Sequence, residues 1–297
     1  MRIIHSLLAI APAVLILAAP ASAAPQQDGP RIVPTDWLGE RLDDPDLVLI
    51  HVVHDDSYRA GHIPGARELS YMDLVVRRDS LGSELPPPDQ LRDLFERLGV
   101  SDRSLVVVYA DDAPMGARAL FSLDYLGHSR WAMLDGGLAQ WRAERRPVTS
   151  DVPRVARGRL TTTPRPQIVT TADELMARLG KPGVALIDTR TDEEYLGTGG
   201  RRGMPSAGHL DGARQLQWEW LVRDGNASHF RDRAELQRLY AERASQGDTV
   251  VTYCWVGYRA SATWLVAKHL GYDARMYDGS YQDWMRRGLP VKAGKEP

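Results

Sequence analysis

Short runs of β-branched and aliphatic residues alternate along the chain with stretches whose apolar positions recur every three to four residues. Leu47–Val53, Leu105–Tyr109 and Trp131–Leu134 read as buried strands, set against helical patterns at Gln90–Leu98, Arg118–Leu126 and Leu138–Arg145. The second half repeats the alternation, with strands at Val184–Asp188 and Asp248–Tyr253 and helical patterns at Thr171–Leu179 and Ala234–Ala244. Beyond the last strand, Arg259–Leu270 sets Ala262, Leu265, Val266 and Leu270 at helical spacing. Strands that are apolar on both faces and interleaved with helices predict an α/β fold, a mainly parallel sheet covered by helices on both sides.

The alternation is a repeat. Gly61-His62-Ile63-Pro64-Gly65-Ala66 returns as Gly208-His209-Leu210-Asp211-Gly212-Ala213, Val107-Val108-Tyr109 as Val251-Thr252-Tyr253, and Asp135-Gly136-Gly137 with Trp141 as Asp278-Gly279-Ser280 with Trp284. The offsets are 147, 144 and 143 residues, which predicts two copies of one domain, at 32–149 and 167–293. Between them residues 150–166 carry Pro153, Pro164 and Pro166 and a threonine triplet without periodicity, as a linker does.

At the start, Arg2, an apolar stretch from Leu7 to Ala19 and the small residues Ala21-Ser22-Ala23 predict a secretory signal peptide over residues 1–23, cleaved before Ala24. The competing reading is an uncleaved anchor, against which the short apolar core and Pro12 argue. Export implies a periplasmic or secreted protein with no membrane attachment once the signal is removed. The formal charge of -2 becomes -3 on cleavage, so nothing in it calls for nucleic acid or an anionic membrane as partner.

The chain has a single cysteine, Cys254, directly after a strand and before a helix. Loop N–H groups and the positive end of a helix favour thiolate, the reactive form, so the setting predicts a nucleophile. A lone cysteine in an exported protein has no internal disulfide partner. The equivalent position in the first copy is Ala110, so that copy has no nucleophile. His51 and His54 are the one close histidine pair of interest for a metal, without further ligands nearby, and Gly197–Gly203 lacks the lysine and spacing of a phosphate loop. No metal and no cofactor are implied.

Together, the doubled Gly-His-Ile-Pro-Gly-Ala segment, the strand ending in Tyr-Cys, the loop from Cys254 to Arg259 and Asp-Gly-Gly followed by Trp resemble the tandem-domain rhodaneses, the thiosulfate and mercaptopyruvate sulfurtransferases. The resemblance covers nearly all of the chain after residue 23. It implies an inactive N-terminal domain, a catalytic C-terminal domain and a site in the cleft between them, with a small sulfur donor and a thiol or thioredoxin-like acceptor. Cys254 would take the outer sulfur of thiosulfate as a persulfide and pass it to cyanide or a thiol. The loop residues Trp255, Val256, Gly257, Tyr258 and Arg259 would surround that sulfur, with Gly257 permitting the turn and Arg259 screening the anion or holding donor oxygens. Arg259 tied to a carboxylate is the alternative.

Asp188 matches the family's aspartate near the site, Arg190 follows it, and His51 stands in its place in the first copy. Where some members carry a basic residue before the tyrosine, this chain has Glu194; the ten extra residues between Tyr195 and His209 bring Arg201 and Arg202, which could supply the missing charge or be solvated. Competing functions are 3-mercaptopyruvate sulfur transfer, a non-catalytic sulfane-sulfur carrier or thiol sensor, and a cysteine phosphatase. The last is disfavoured because its loop from cysteine to arginine is one residue longer.

Overall fold

A computed structural model describes residues 31–54, 56–201 and 204–297. The expected signal peptide, residues 1–23, lies outside the described residues, as does Arg202.

The first half runs Ile32–Val33 (β1), Thr35–Gly39 (α1), Leu47–Val53 (β2), Ser57–Ala60 (α2), Arg67–Ser70 (β3), Val76–Arg78 (β4), Leu81–Glu84 (β5), Pro88–Arg97 (α3), Leu105–Ala110 (β6), Ala113–Tyr125 (α4), Trp131–Leu134 (β7) and Gly137–Ala143 (α5). Strands in the order β1-β7-β6-β2-β3 form an all-parallel sheet, while β4 and β5 pair as a separate hairpin.

The second half follows with Val169–Thr170 (β8), Ala172–Met176 (α6), Val184–Asp188 (β9), Asp192–Leu196 (α7), Gly200–Arg201 (β10), Met204–Pro205 (β11), Arg214–Gln215 (β12), Val222–Arg223 (β13), Asn226–Phe230 (β14), Arg233–Ala241 (α8), Thr249–Tyr253 (β15), Tyr258–Leu270 (α9), Asp273–Tyr277 (β16) and Ser280–Arg286 (α10). Its sheet, β12-β9-β15-β16-β8, is again all parallel. The predicted α/β architecture with two copies of one parallel-sheet domain is therefore the one observed.

The repeated motif is a scaffold. In the first domain the His62 ring stacks on Tyr58 at 3.8 Å, Tyr58 Oη donates to Ala66 O at 2.7 Å, and Ile63 N–H donates to Tyr109 Oη on β6. In the second, His209 stacks on Tyr195 at 3.8 Å, Tyr195 Oη donates to Ala213 O at 2.8 Å, and Leu210 N–H donates to Tyr253 Oη on β15. Each buried polar atom thus finds a partner, and the segment is tied to the central strand of its own sheet.

The two domains share one apolar core. Phe121 and Trp131 of the first meet Trp264 on α9, with ring centroids 5.0 and 5.6 Å apart, and α4 lies along α9. Ala113 through Asp124 are all buried, so α4 is enclosed around its whole circumference and its amphipathic stripe is weak. That is why spacing placed its start at Arg118, five residues late; Asp112 sets the true start by accepting Met115 N–H at 2.9 Å. The segment 150–166 is no free tether. It is strapped to the first domain by Gly158 N–H to Glu96 O, Thr163 N–H to Leu126 O and the Arg157 pairs with Asp93 and Glu96.

Candidate active site

Cys254 follows the last residue of β15, at the carboxyl end of the parallel sheet where ligands of such folds bind. Its backbone is fixed from α10: Cys254 N–H donates to Ser280 Oγ at 3.2 Å, while Tyr281 N–H and Gln282 N–H donate to the carbonyls of Cys254 and Trp255 at 2.9 and 3.0 Å. Gly257 turns the chain into α9 with φ +82°, and a Cβ there would stand 2.9 Å from both Asp278 O and Asp278 Oδ1. Only glycine meets both demands. The thirteen-residue α9 then starts at Tyr258, four residues after Cys254, with first-turn N–H groups without intrahelical acceptors and the positive end of its dipole on the side of the loop.

Glu194 holds the side chains of this loop. A capping box with Thr191 fixes it in α7, and its carboxylate accepts the Trp255 indole N–H and, at 2.7 Å, Arg259 Nη1. Burial opposes ionisation of Glu194, yet the hydrogen bond and charge of Arg259 outweigh it and hold the carboxyl below its usual range. For Arg259 burial again opposes the charge; Cys254 and Glu194 more than offset it and push the guanidinium pKa up. Arg259 Nη2 is buried and meets no protein partner among the described residues. The carboxylate alternative for Arg259 is therefore met at one nitrogen, which pairs with Glu194.

Asp188 and Arg190 are corrected. Both are fully buried, and Arg190 Nη2 lies 2.6 Å from Asp188 Oδ2 while Tyr253 Oη donates to the same oxygen at 2.6 Å. Arg190 also donates to Gly208 O and packs over the Tyr281 ring at 3.9 Å. They satisfy each other beneath the loop and touch no open space, so their role is support and not substrate contact. Arg201 lies in the backbone of β10, and Arg202 lies outside the described residues.

A cavity of about 330 Å³ opens over the cysteine between the domains. The second domain contributes Cys254, Trp255, Val256, Tyr258 and Arg259; Gly257 is not on its wall. The first domain supplies His54, Tyr71, Met72, Val75, Gly82 and Ser83. Sequence reasoning missed these six, although His54 follows β2 as Cys254 follows β15, and strand-end position was a usable signal. Two interdomain ties close the cavity. Tyr258 Oη donates to the Asp112 carboxylate at 2.6 and 2.7 Å, and Arg118 Nη1 meets Asp278 Oδ1 at 2.5 Å while Asp278 Oδ2 accepts Leu85 N–H. In the first domain the matching position, Ala110, has its carbonyl occupied by Ser228 Oγ at 2.7 Å, and only Asp111 and Asp112 separate it from the start of α4. His51, in the place of Asp188, stacks on Tyr109 at 4.3 Å.

The family described as Rhodanese-like domain matches residues 34–144 and 171–287. The "Sulfur carrier protein TtuD" of Thermus thermophilus is 33% identical over 89% of this chain and 97% of its own. The "Thiosulfate sulfurtransferase" of Azotobacter vinelandii is 32% identical over 85% of this chain and 93% of its own. Among solved structures, SseA from Escherichia coli, described with the fold of 3-mercaptopyruvate sulfotransferases, superposes with a TM-score of 0.75 at 22% identity, over 85% of this chain and 99% of that one. With both halves matched and relatives aligned along nearly the whole described length, the chain belongs to the rhodanese family as a tandem-domain sulfurtransferase.

Proposed function

We propose that this protein moves a sulfane sulfur from thiosulfate to a thiol acceptor, with Cys254 as the carrier. The carrying observation is that Cys254 shares a cavity wall with Arg259, whose Nη2 meets no partner among the described residues, at the start of a long helix. The Cys254 thiolate attacks the outer sulfur of thiosulfate; the sulfur–sulfur bond breaks and its electron pair leaves on sulfite. The resulting persulfide is anionic, and the loop N–H groups and Arg259 meet that charge. A thiolate acceptor then takes the outer sulfur and restores Cys254. A curated relative named as a thiosulfate sulfurtransferase supports this donor.

A second reading, 3-mercaptopyruvate as donor, is favoured by the Glu194 carboxylate, which lowers the net positive charge offered to a dianion. Export to the periplasm or beyond rests on residues 1–23 and is tested by N-terminal sequencing of secreted material, with a start at or next to Ala24 expected. For the central claim, mass spectrometry after thiosulfate treatment should find one added sulfur atom on Cys254, removed again by cyanide. No added sulfur would sink the proposal.

A further inference from the structure

We propose that His54 is the catalytic base of the second half-reaction, taking the proton from an acceptor thiol. The inference rests on the persulfide reading of Cys254. A thiol attacks as its thiolate, and an ordinary aliphatic thiol, with a pKa near that of cysteine at about 8.5, is mostly protonated at neutral pH. A group in the cavity that takes this proton would therefore speed transfer to any such acceptor.

Its walls offer few groups able to do so. Arg259 is a cation paired with Glu194. Tyr258 donates its proton to Asp112, whose carboxylate also caps α4. Tyr71 shares its hydroxyl with Ser83 Oγ at 3.3 Å, and burial raises both tyrosines further above neutrality. Cys254 itself is the leaving group. His54 remains, and imidazole is the side chain whose ordinary pKa falls between pH 5 and 8. Its ring is exposed, lies 4.7 Å from the Tyr71 ring and 6.4 Å from that of Tyr258, and borders the same cavity as Cys254. The 330 Å³ of space leaves room for an organic thiol beside the persulfide.

The step balances without an added oxidant. The acceptor's S–H proton goes to an imidazole nitrogen, and the thiolate forms a bond to the outer sulfur. The bond from that sulfur to Cys254 Sγ breaks with its electron pair on Sγ, and the imidazolium releases its proton to the product persulfide or to solvent.

The test is single-turnover discharge of thiosulfate-loaded protein at pH 7, wild type against His54→Gln, with two acceptors. One is 2-mercaptoethanol, which is protonated at that pH; the other is 4-nitrothiophenol, which is already ionised. General base assistance is commonly worth about 10²- to 10⁴-fold, so the ratio of the 2-mercaptoethanol rate to the 4-nitrothiophenol rate should fall about tenfold or more. Equal losses with both acceptors, or no loss with either, would show His54 to be a wall only and overturn the inference. A variant that fails to load while the wild type loads overturns it too, since His54 would then act in the first half-reaction. If the wild type does not load, it is the persulfide reading that has failed, and the inference falls with it.

Discussion

Replacing Arg259 by alanine separates two roles that share one side chain. Its first consequence is structural. Arg259 and Glu194 have side chains only 10% and 9% exposed, so the variant takes a cation away from a poorly solvated carboxylate. Breaking a buried pair from one side typically costs about 3–5 kcal/mol. Glu194 keeps the Trp255 indole and Thr191 N–H groups, which places the expected loss near the lower end, about 3 kcal/mol. The second consequence is chemical. A charge-assisted contact from Nη2 to the donor is worth about 1.5–3 kcal/mol, which corresponds to roughly tenfold to a hundredfold in kcat/KM for thiosulfate. The monoanionic 3-mercaptopyruvate should lose less. Arg259→Ala combined with Glu194→Gln distinguishes the roles, because the neutral amide removes the stranded charge without restoring a cation. Thermal melts should show the double variant recovering most of the lost stability, while steady-state kinetics show thiosulfate turnover still depressed. If activity returns together with stability, or both donors lose equally in the single variant, Arg259 props the loop and does not select the donor.

Cys254→Ser should abolish sulfur transfer with the melting temperature little changed, and adding Ala110→Cys should not rescue it, because Ala110 runs almost directly into α4; cyanide-dependent turnover by that double variant would contradict this. Gly257→Ala should lose most of its activity and about 1–2 kcal/mol from the left-handed backbone alone, with the 2.9 Å approach to Asp278 adding to it; an unchanged denaturation midpoint would refute the steric argument. Glu84, near the interdomain ion pair, is pushed up to about 7, by burial first and then by the charge of Asp278. A carboxyl raised on folding favours the native state while it is protonated, so its contribution is complete below the ordinary value of about 4.5 and is lost as pH rises towards 7, by up to roughly 3 kcal/mol. Glu84→Gln should flatten that slope in melts taken from pH 4.5 to 8, and an unaltered slope would assign it to other groups.

What could be read from the sequence divides along the range of the interactions involved. Strand and helix patterns report burial within one element, and the doubled Gly-His motif with its tyrosine and central strand closes over short or repeated distances, so the two domains and their sheets were legible. Cys254 was legible because strand, loop and helix start are contiguous. The first domain's share of the cavity was not: Tyr258 with Asp112, Arg118 with Asp278 and Leu85 with Asp278 join residues 146, 160 and 193 positions apart, and no periodicity encodes them. Asp188 and Arg190 misled for the opposite reason. The resemblance placed them at the site, but a charge that deep must be paired, and each had the other at hand. Alanine at position 110 marked the first domain as one without a nucleophile, and the resemblance placed the site in the cleft between the two, without naming the residues on its first-domain side. Yet α4 carries Arg118 to Asp278 and is capped by the Asp112 that holds Tyr258, while His54 follows β2 and Tyr71 follows β3. Without those elements the cysteine loop would lack half of its cavity wall and both of these interdomain ties. The first domain therefore belongs to the site through the cavity wall it supplies, although the sulfur nucleophile, Cys254, belongs to the second.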